Sequence, residues 1–319
     1  MNLNQLIMIG IPADGDLGDV RELQPGGVIL MGRNAGTPAV MRRLTREIQA
    51  CLTVPALIAV DQEGGRVQRL KDGFTLLPPA RELATQGAQK VGLAAMTVAA
   101  ELRAAGINTN FAPVCDVPAH PDDTVIGSRA FSDNPIRASL MAAEYIRGAQ
   151  PSILCCAKHF PGHGGVGIDS HTALPTFTGT RADLELHLAP FRAALGATVG
   201  AVMVGHIAVP AIDPSGAPAT LSAPIVTDLL RESLGFRGLV VTDDLEMGAL
   251  PQDDPGEIAV RAVAAGCDLL LYCHSARKAR AAVLALEVAV ESGRLPRERA
   301  EDALTRVAWA KRRFGVTAD

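Results

Sequence analysis

Eight short, unbroken apolar runs set the limits on what this chain can fold into. They are Leu6–Ile11, Gly27–Met31, Ala56–Val60, Ile107–Ala112, Ile153–Ala157, Ala201–Val204, Gly238–Val241 and Asp268–Tyr272, each giving way to polar or glycine-rich sequence. Continuous rather than alternating hydrophobicity is what parallel strands covered on both faces show. Between most of them the apolar spacing is helical, over Pro38–Leu52, Gln86–Ala105, Pro135–Ala149, Arg181–Leu195, Ala223–Leu234 and Glu257–Ala265. Thr180 ahead of Arg181 and Ser222 ahead of Ala223 are expected caps. The first connection, Ala13–Pro25, has room for about one helical turn. Ala276–Ser292 and Arg297–Phe314, parted by Gly293 and Pro296, close the chain, and the last helix is expected to pack on its own barrel. Eight β/α units in 319 residues is the arithmetic of a (β/α)8 TIM barrel. A doubly wound open sheet is the alternative, but no Gly-x-Gly-x-x-Gly turn follows the first run. No linker or composition break divides residues 1–319, so the expectation is α/β, one barrel, one domain.

In such a barrel the functional groups gather at the carboxyl ends of the strands. Polar residues follow five of the runs: Asp61, Glu63, Arg66 and Arg69 in VDQEGGRVQRL; Asp116 in PVCDV; Lys158 and His159; His206; and Asp243 and Asp244 in TDDLEM. Taken singly, Asp116 or Asp244 is as well explained as a helix cap, and Arg69 as the partner of a surface acid. Their repetition at the same end of five strands is what points to a ligand pocket.

The densest stretch is Cys155–Pro175, which holds Lys158, His159, His163, Asp169 and His171 among closely spaced glycines. Glycine keeps such a segment from settling as helix or strand. Asp169 and His171, two apart, share a face in an extended segment, and a carboxylate beside an imidazole suits proton transfer. The competing reading is an ordinary exposed polar loop.

Composition narrows the partners. With 48% hydrophobic residues and mean hydropathy +0.20 the chain can bury a large core. A net charge of −4, a pI near 6.0 and no basic block argue against nucleic acid and anionic membrane surfaces. The N-terminal run lacks a cationic flank and is too short to span a bilayer, so no membrane insertion is expected. Cys51, Cys115, Cys155, Cys156, Cys267 and Cys273 show no metal-type pairing and read as reduced core residues, which suggests the cytoplasm. Aromatic residues make up 3%, with Trp309 in the last helix, so a short pocket is expected rather than a stacked multi-subsite cleft. The oligomeric state is left open.

The motifs VDQEGGRVQRL, NTNFAPVCDV, VIGSRAFSDNP, KHFPGHG…DSH, MVGHI and GFRGLVVTDDLEMGAL resemble those of the bacterial β-N-acetylhexosaminidases of glycoside hydrolase family 3, in family order from about Gly26 to Leu271. The resemblance implies an exo-acting retaining β-N-acetylglucosaminidase, using no cofactor, that removes terminal β-linked N-acetylglucosamine from a small carbohydrate or muropeptide during cell-wall recycling. It implies Asp243 as nucleophile, His171 as general acid/base tuned by Asp169, and Asp61, Arg69, Arg129, Lys158 and His159 as sugar-binding residues. Family members acting on β-glucosides generally draw an acidic catalyst from a second domain; the His-bearing loop points to the other branch.

Three rival readings share the barrel. A metal-dependent hydrolase would use His159, His163, His171 and Asp169 as ligands, but these crowd one loop instead of spreading round the barrel, so no metal is expected. A sugar-binding protein without turnover conflicts with the presence of both nucleophile and acid/base. A phosphorylase would exploit the less anionic site that a His catalyst leaves.

Overall fold

Every barrel strand is buried along its length or nearly so, as unbroken apolar runs require. The computed structural model describes residues 1–118, 125–166, 170, 173–250 and 254–315. In chain order the strands are β1 (Ile7–Gly10), β2 (Gly27–Leu30), β3 (Leu57–Val60), β4 (Gln62–Gly64), β5 (Val67–Gln68), β6 (Thr109–Asn110), β7 (Leu154–Phe160), β8 (Ala201–Val204), β9 (Leu239–Asp244) and β10 (Leu269–Tyr272). Eight of them pair in parallel in the order β1-β10-β9-β8-β7-β6-β3-β2 and close into a barrel, while β4 and β5 form a separate antiparallel ribbon. The expected (β/α)8 barrel is therefore the fold.

The helices are α1 (Gly18–Leu23), α2 (Pro38–Ala50), α3 (Ala80–Thr85), α4 (Ala88–Ala104), α5 (Pro135–Ala149), α6 (Arg181–Gly196), α7 (Pro255–Ala265), α8 (Ala276–Glu291) and α9 (Arg297–Arg313). Thr180 caps α6 as expected, its hydroxyl accepting the Asp183 amide. Ser222 does not cap. Its hydroxyl donates to Asp213 Oδ2 at 2.6 Å, and the following helix, Pro224–Ser233, is π-type, with Leu234 N–H reaching Leu229 C=O. Helix α9 packs on its own barrel, against α7 and the N-terminal turn Leu3–Leu6. No helix among the described residues is long and apolar enough to cross a membrane. The cysteines are free, five of them buried.

Two strands differ from expectation where the site begins. The run Ile107–Ala112 contains only a two-residue ladder, because Asn108 and Asn110 turn side-chain oxygens to the Ile58 and Gln62 amides and Pro113 has no N–H to give. Strand β7 runs longer than Ile153–Ala157: Lys158 N–H bonds Pro113 C=O and Gly205 N–H bonds Phe160 C=O. Lys158 and His159 thus lie inside a strand, not beyond its end, and inherit its rigidity.

Candidate active site

A cavity of about 300 Å³ opens at the carboxyl end of the barrel, at the small end of the range for ligand pockets. Its floor is apolar, with Ile29, Phe111, Met203 and Leu271 projecting inward from the barrel, and its walls carry nearly every charged residue the strand ends supply.

One wall is an ion-pair network. Lys158, 2% exposed, sits on β7 with its Nζ 2.7 Å from both Asp61 Oδ1 and Glu63 Oε1. Arg129, on the turn Gly127–Arg129, grips the same Glu63 with two parallel bonds, Nε to Oε2 at 2.9 Å and Nη2 to Oε1 at 2.8 Å. Burial alone would raise the Glu63 carboxyl, but Lys158 and Arg129 overcome it and hold the group at about 2. Lys158 answers in kind: burial works against its charge, Asp61 and Glu63 outweigh it, and its pKa lies above that of an ordinary lysine. The β4–β5 ribbon that brings Arg69 back to Asp61 is closed by Gln62, whose amide both donates to Leu70 C=O at 2.7 Å and accepts Leu70 N–H at 3.0 Å. Arg69 Nη2 lies 3.6 Å from Asp61 Oδ2, and its buried Nε has no hydrogen-bond partner among the described residues. Its partner is a pocket acid and not a surface one.

The second wall is built on histidines. Asp116, wholly buried, accepts the amides of His159 and His163 on Oδ1, at 3.2 and 2.7 Å, and bonds His159 Nδ1 through Oδ2 at 2.7 Å. Burial would raise this carboxyl, but His159 and His163 pull it below the usual range. Asp116 is therefore not a helix cap. His163 Nε2 meets Ser170 Oγ at 3.1 Å, and Ala249 N–H bonds Ser170 C=O, so this residue is tied to the histidine wall and to the segment after β9. The described part of the glycine-rich stretch is packed, contrary to the exposed-loop reading. A Cβ on Gly164 would stand 2.1 Å from Val117 C=O, and Gly162 has φ +128°. Asp169 and His171 lie outside the described residues.

Asp243, next to last in β9, faces the cavity, its Oδ1 accepting the Asp244 amide at 2.9 Å. Burial would raise its carboxyl. His159, that amide and Lys158 together bring it below the ordinary value, so it is ionised at neutral pH. Its neighbour Asp244 goes the other way, pushed up to about 6 chiefly by burial. His206, fully buried, is pushed down by burial and is neutral. Its Nε2–H then donates to Asp244 C=O at 2.9 Å, while Nδ1 accepts the Thr220 hydroxyl at 2.7 Å, which pins the end of β9.

Of the sequence-predicted residues, Asp61, Arg69, Arg129, Lys158, His159 and Asp243 all line this one cavity. Sequence reasoning gave no role to Glu63 or Asp116, the two buried carboxylates that organise the walls. For Glu63 a signal existed: it stands two residues from Asp61, hence on the same face of an extended segment. Of the four candidate metal ligands, His171 and Asp169 are outside the described residues. His159 Nδ1 and His163 Nε2 are engaged by Asp116 and Ser170, and no metal-type cluster of His, Cys, Asp or Glu occurs among the described residues.

Residues 1–310 match the family described as Glycosyl hydrolase family 3 N terminal domain, which makes the barrel a glycoside hydrolase. A protein of Thioalkalivibrio sulfidiphilus (strain HL-EbGR7) named Beta-hexosaminidase is 41% identical over 271 residues, 82% of this chain and 77% of its own length. The solved family 3 β-N-acetylglucosaminidase of Paenibacillus sp. str. FPU-7 superposes with a TM-score of 0.95 at 42% identity, covering all of this chain, which spans 63% of that one. The β-N-acetylhexosaminidase of Beutenbergia cavernae DSM 12333 gives 0.92 at 33% identity, over 97% of both chains. The chain belongs to glycosyl hydrolase family 3.

Proposed function

We propose that the chain, as one catalytic domain over residues 1–319, is a retaining exo-β-N-acetylglucosaminidase. Its substrates would be small carbohydrates ending in β-linked N-acetylglucosamine, with peptidoglycan fragments released in cell-wall recycling as the natural source and the cytoplasm as the compartment. The relatives named β-hexosaminidase and β-N-acetylglucosaminidase support the sugar, and a cavity of about 300 Å³ supports removal of one terminal residue.

The single observation that carries the mechanism is Asp243: an ionised carboxylate at a strand end, facing a cavity rich in hydrogen-bonding groups. In the first step Asp243 attacks the anomeric carbon as the bond to the aglycone breaks, and His171 gives its proton to the departing oxygen. The product is a glycosyl ester on Asp243. In the second step His171 takes a proton from water, the water oxygen displaces the ester, and the sugar leaves with its β configuration restored. Asp169 would orient His171 and favour its charged form. Ser170, between them in sequence, lines the cavity, which supports their assignment to it. Asp61, Lys158, Arg129, Arg69 and His159 would hold the sugar hydroxyls, with Glu63 keeping Lys158 and Arg129 in place.

The test is hydrolysis of an aryl β-N-acetylglucosaminide in phosphate-free buffer, followed by NMR of the first product. The β anomer of free N-acetylglucosamine is expected. An α first product would overturn retention, and dependence on added phosphate would make the enzyme a phosphorylase.

A further inference from the structure

The buried carboxylate of Asp116 has no place in the mechanism above, yet it makes three hydrogen bonds at the centre of the histidine wall. We propose that Asp116 is a positioning residue that fixes the tautomer of His159, so that Nε2 presents a lone pair to a substrate hydroxyl. This rests on the reading that His159 touches the sugar.

An ionised carboxylate only accepts, so the 2.7 Å contact to Asp116 Oδ2 places a proton on His159 Nδ1. In the neutral ring Nε2 is then an acceptor. The surroundings of Nε2 demand the same assignment. Among the described residues, Arg129 Nη2 lies 3.5 Å from it, with one of its two hydrogens given to Glu63 Oε1 at 2.8 Å. A hydrogen on Nε2 would face that guanidinium N–H, whereas a lone pair is compatible with it. Both His159 and Arg129 line the cavity, so the lone pair can receive a hydroxyl that enters it. The same carboxylate also accepts the amides of His159 and His163, which keeps the ring from turning away with its backbone.

Asp116→Asn separates this role from a purely structural one. The amide oxygen can still accept both backbone N–H groups, while its NH2 group must donate to Nδ1 and drive the proton to Nε2. The experiment is 15N NMR of histidine-labelled protein at alkaline pH, where an imidazole is neutral, with the His159 signals assigned by their loss in His159→Gln. The wild type is expected to show the Nδ1–H form and Asp116→Asn the Nε2–H form. In step with this, kcat/KM should fall roughly 10–100-fold with KM raised, while the thermal midpoint moves little. An Nε2–H form in the wild type overturns the proposal, and so does an Asp116→Asn enzyme with unchanged tautomer or near-native kcat/KM. If that variant does not fold, the wild-type spectrum alone decides. Should His159→Gln leave kcat/KM and the affinity for N-acetylglucosamine unaltered, the contact between His159 and sugar is what fails, whichever tautomer is seen.

Discussion

Replacing Glu63 by Gln keeps the shape of the side chain and removes the one charge that Lys158 and Arg129 share. Glu63 is 7% exposed and takes two bonds from Arg129 and one ion pair from Lys158, so little solvent is present to compensate the loss. A carboxyl held at about 2 against an ordinary 4.5 stores about 3 kcal/mol of interaction in its charged form at neutral pH. Because the folded-state pKa is the lower one, this stability is complete above the unfolded value near 4.5 and is lost as pH falls toward 2. Urea denaturation should therefore find Glu63→Gln less stable than the wild type by about 3 kcal/mol at pH 7, narrowing to about 1 kcal/mol at pH 3. The variant should also bind N-acetylglucosamine more weakly, since Lys158 and Arg129 lose their common anchor. A stability gap that is absent, or that stays constant from pH 7 to pH 3, would show that Glu63 does not hold the wall through its charge.

His171→Ala should slow natural disaccharides far more than aryl glycosides with good leaving groups, which need little protonation; an equal loss on both would remove His171 from the acid role. Lys311 on α9 is 7% exposed, bonds only Gln5 Oε1, at 2.5 Å, among the described residues, and is pushed down to about 8 by burial. The folded state thus disfavours its charge, a penalty absent above the unfolded value near 10.5 and complete below 8. Lys311→Met should then be more stable at pH 7 by about 1–3 kcal/mol, an advantage that shrinks as pH rises from 8 to 10; a destabilised variant would contradict this.

The barrel was legible because a strand buried on both faces must be apolar at every position, and Ala201–Val204 and Pro135–Ala149 match the sequence reading residue for residue. What misled was side-chain chemistry acting on backbone. Asn108 and Asn110 put side-chain oxygens on backbone amides along Ile107–Ala112, and Ser222 gives its hydroxyl to Asp213 instead of to a helix end. Strand-end polarity located the pocket, since Asp61, Lys158 and Asp243 follow apolar runs directly. The roles of Glu63 and Asp116 depend on partners up to 95 residues away in the chain, Lys158 for one and His159 and His163 for the other, and local spacing carries no trace of those pairings. The glycines of 162–165 do keep that segment out of helix and strand, but Gly164 is required for a second reason, the close approach of Val117 C=O.

During turnover Asp243 should carry the sugar as an ester. Incubation with a fluorinated slow substrate, proteolysis and mass spectrometry of the peptides test it most directly. A stoichiometric glycosyl adduct on the peptide bearing Asp243, absent from Asp243→Asn, is the predicted result; an adduct on another side chain, or turnover by Asp243→Asn at near-native rate, would contradict it.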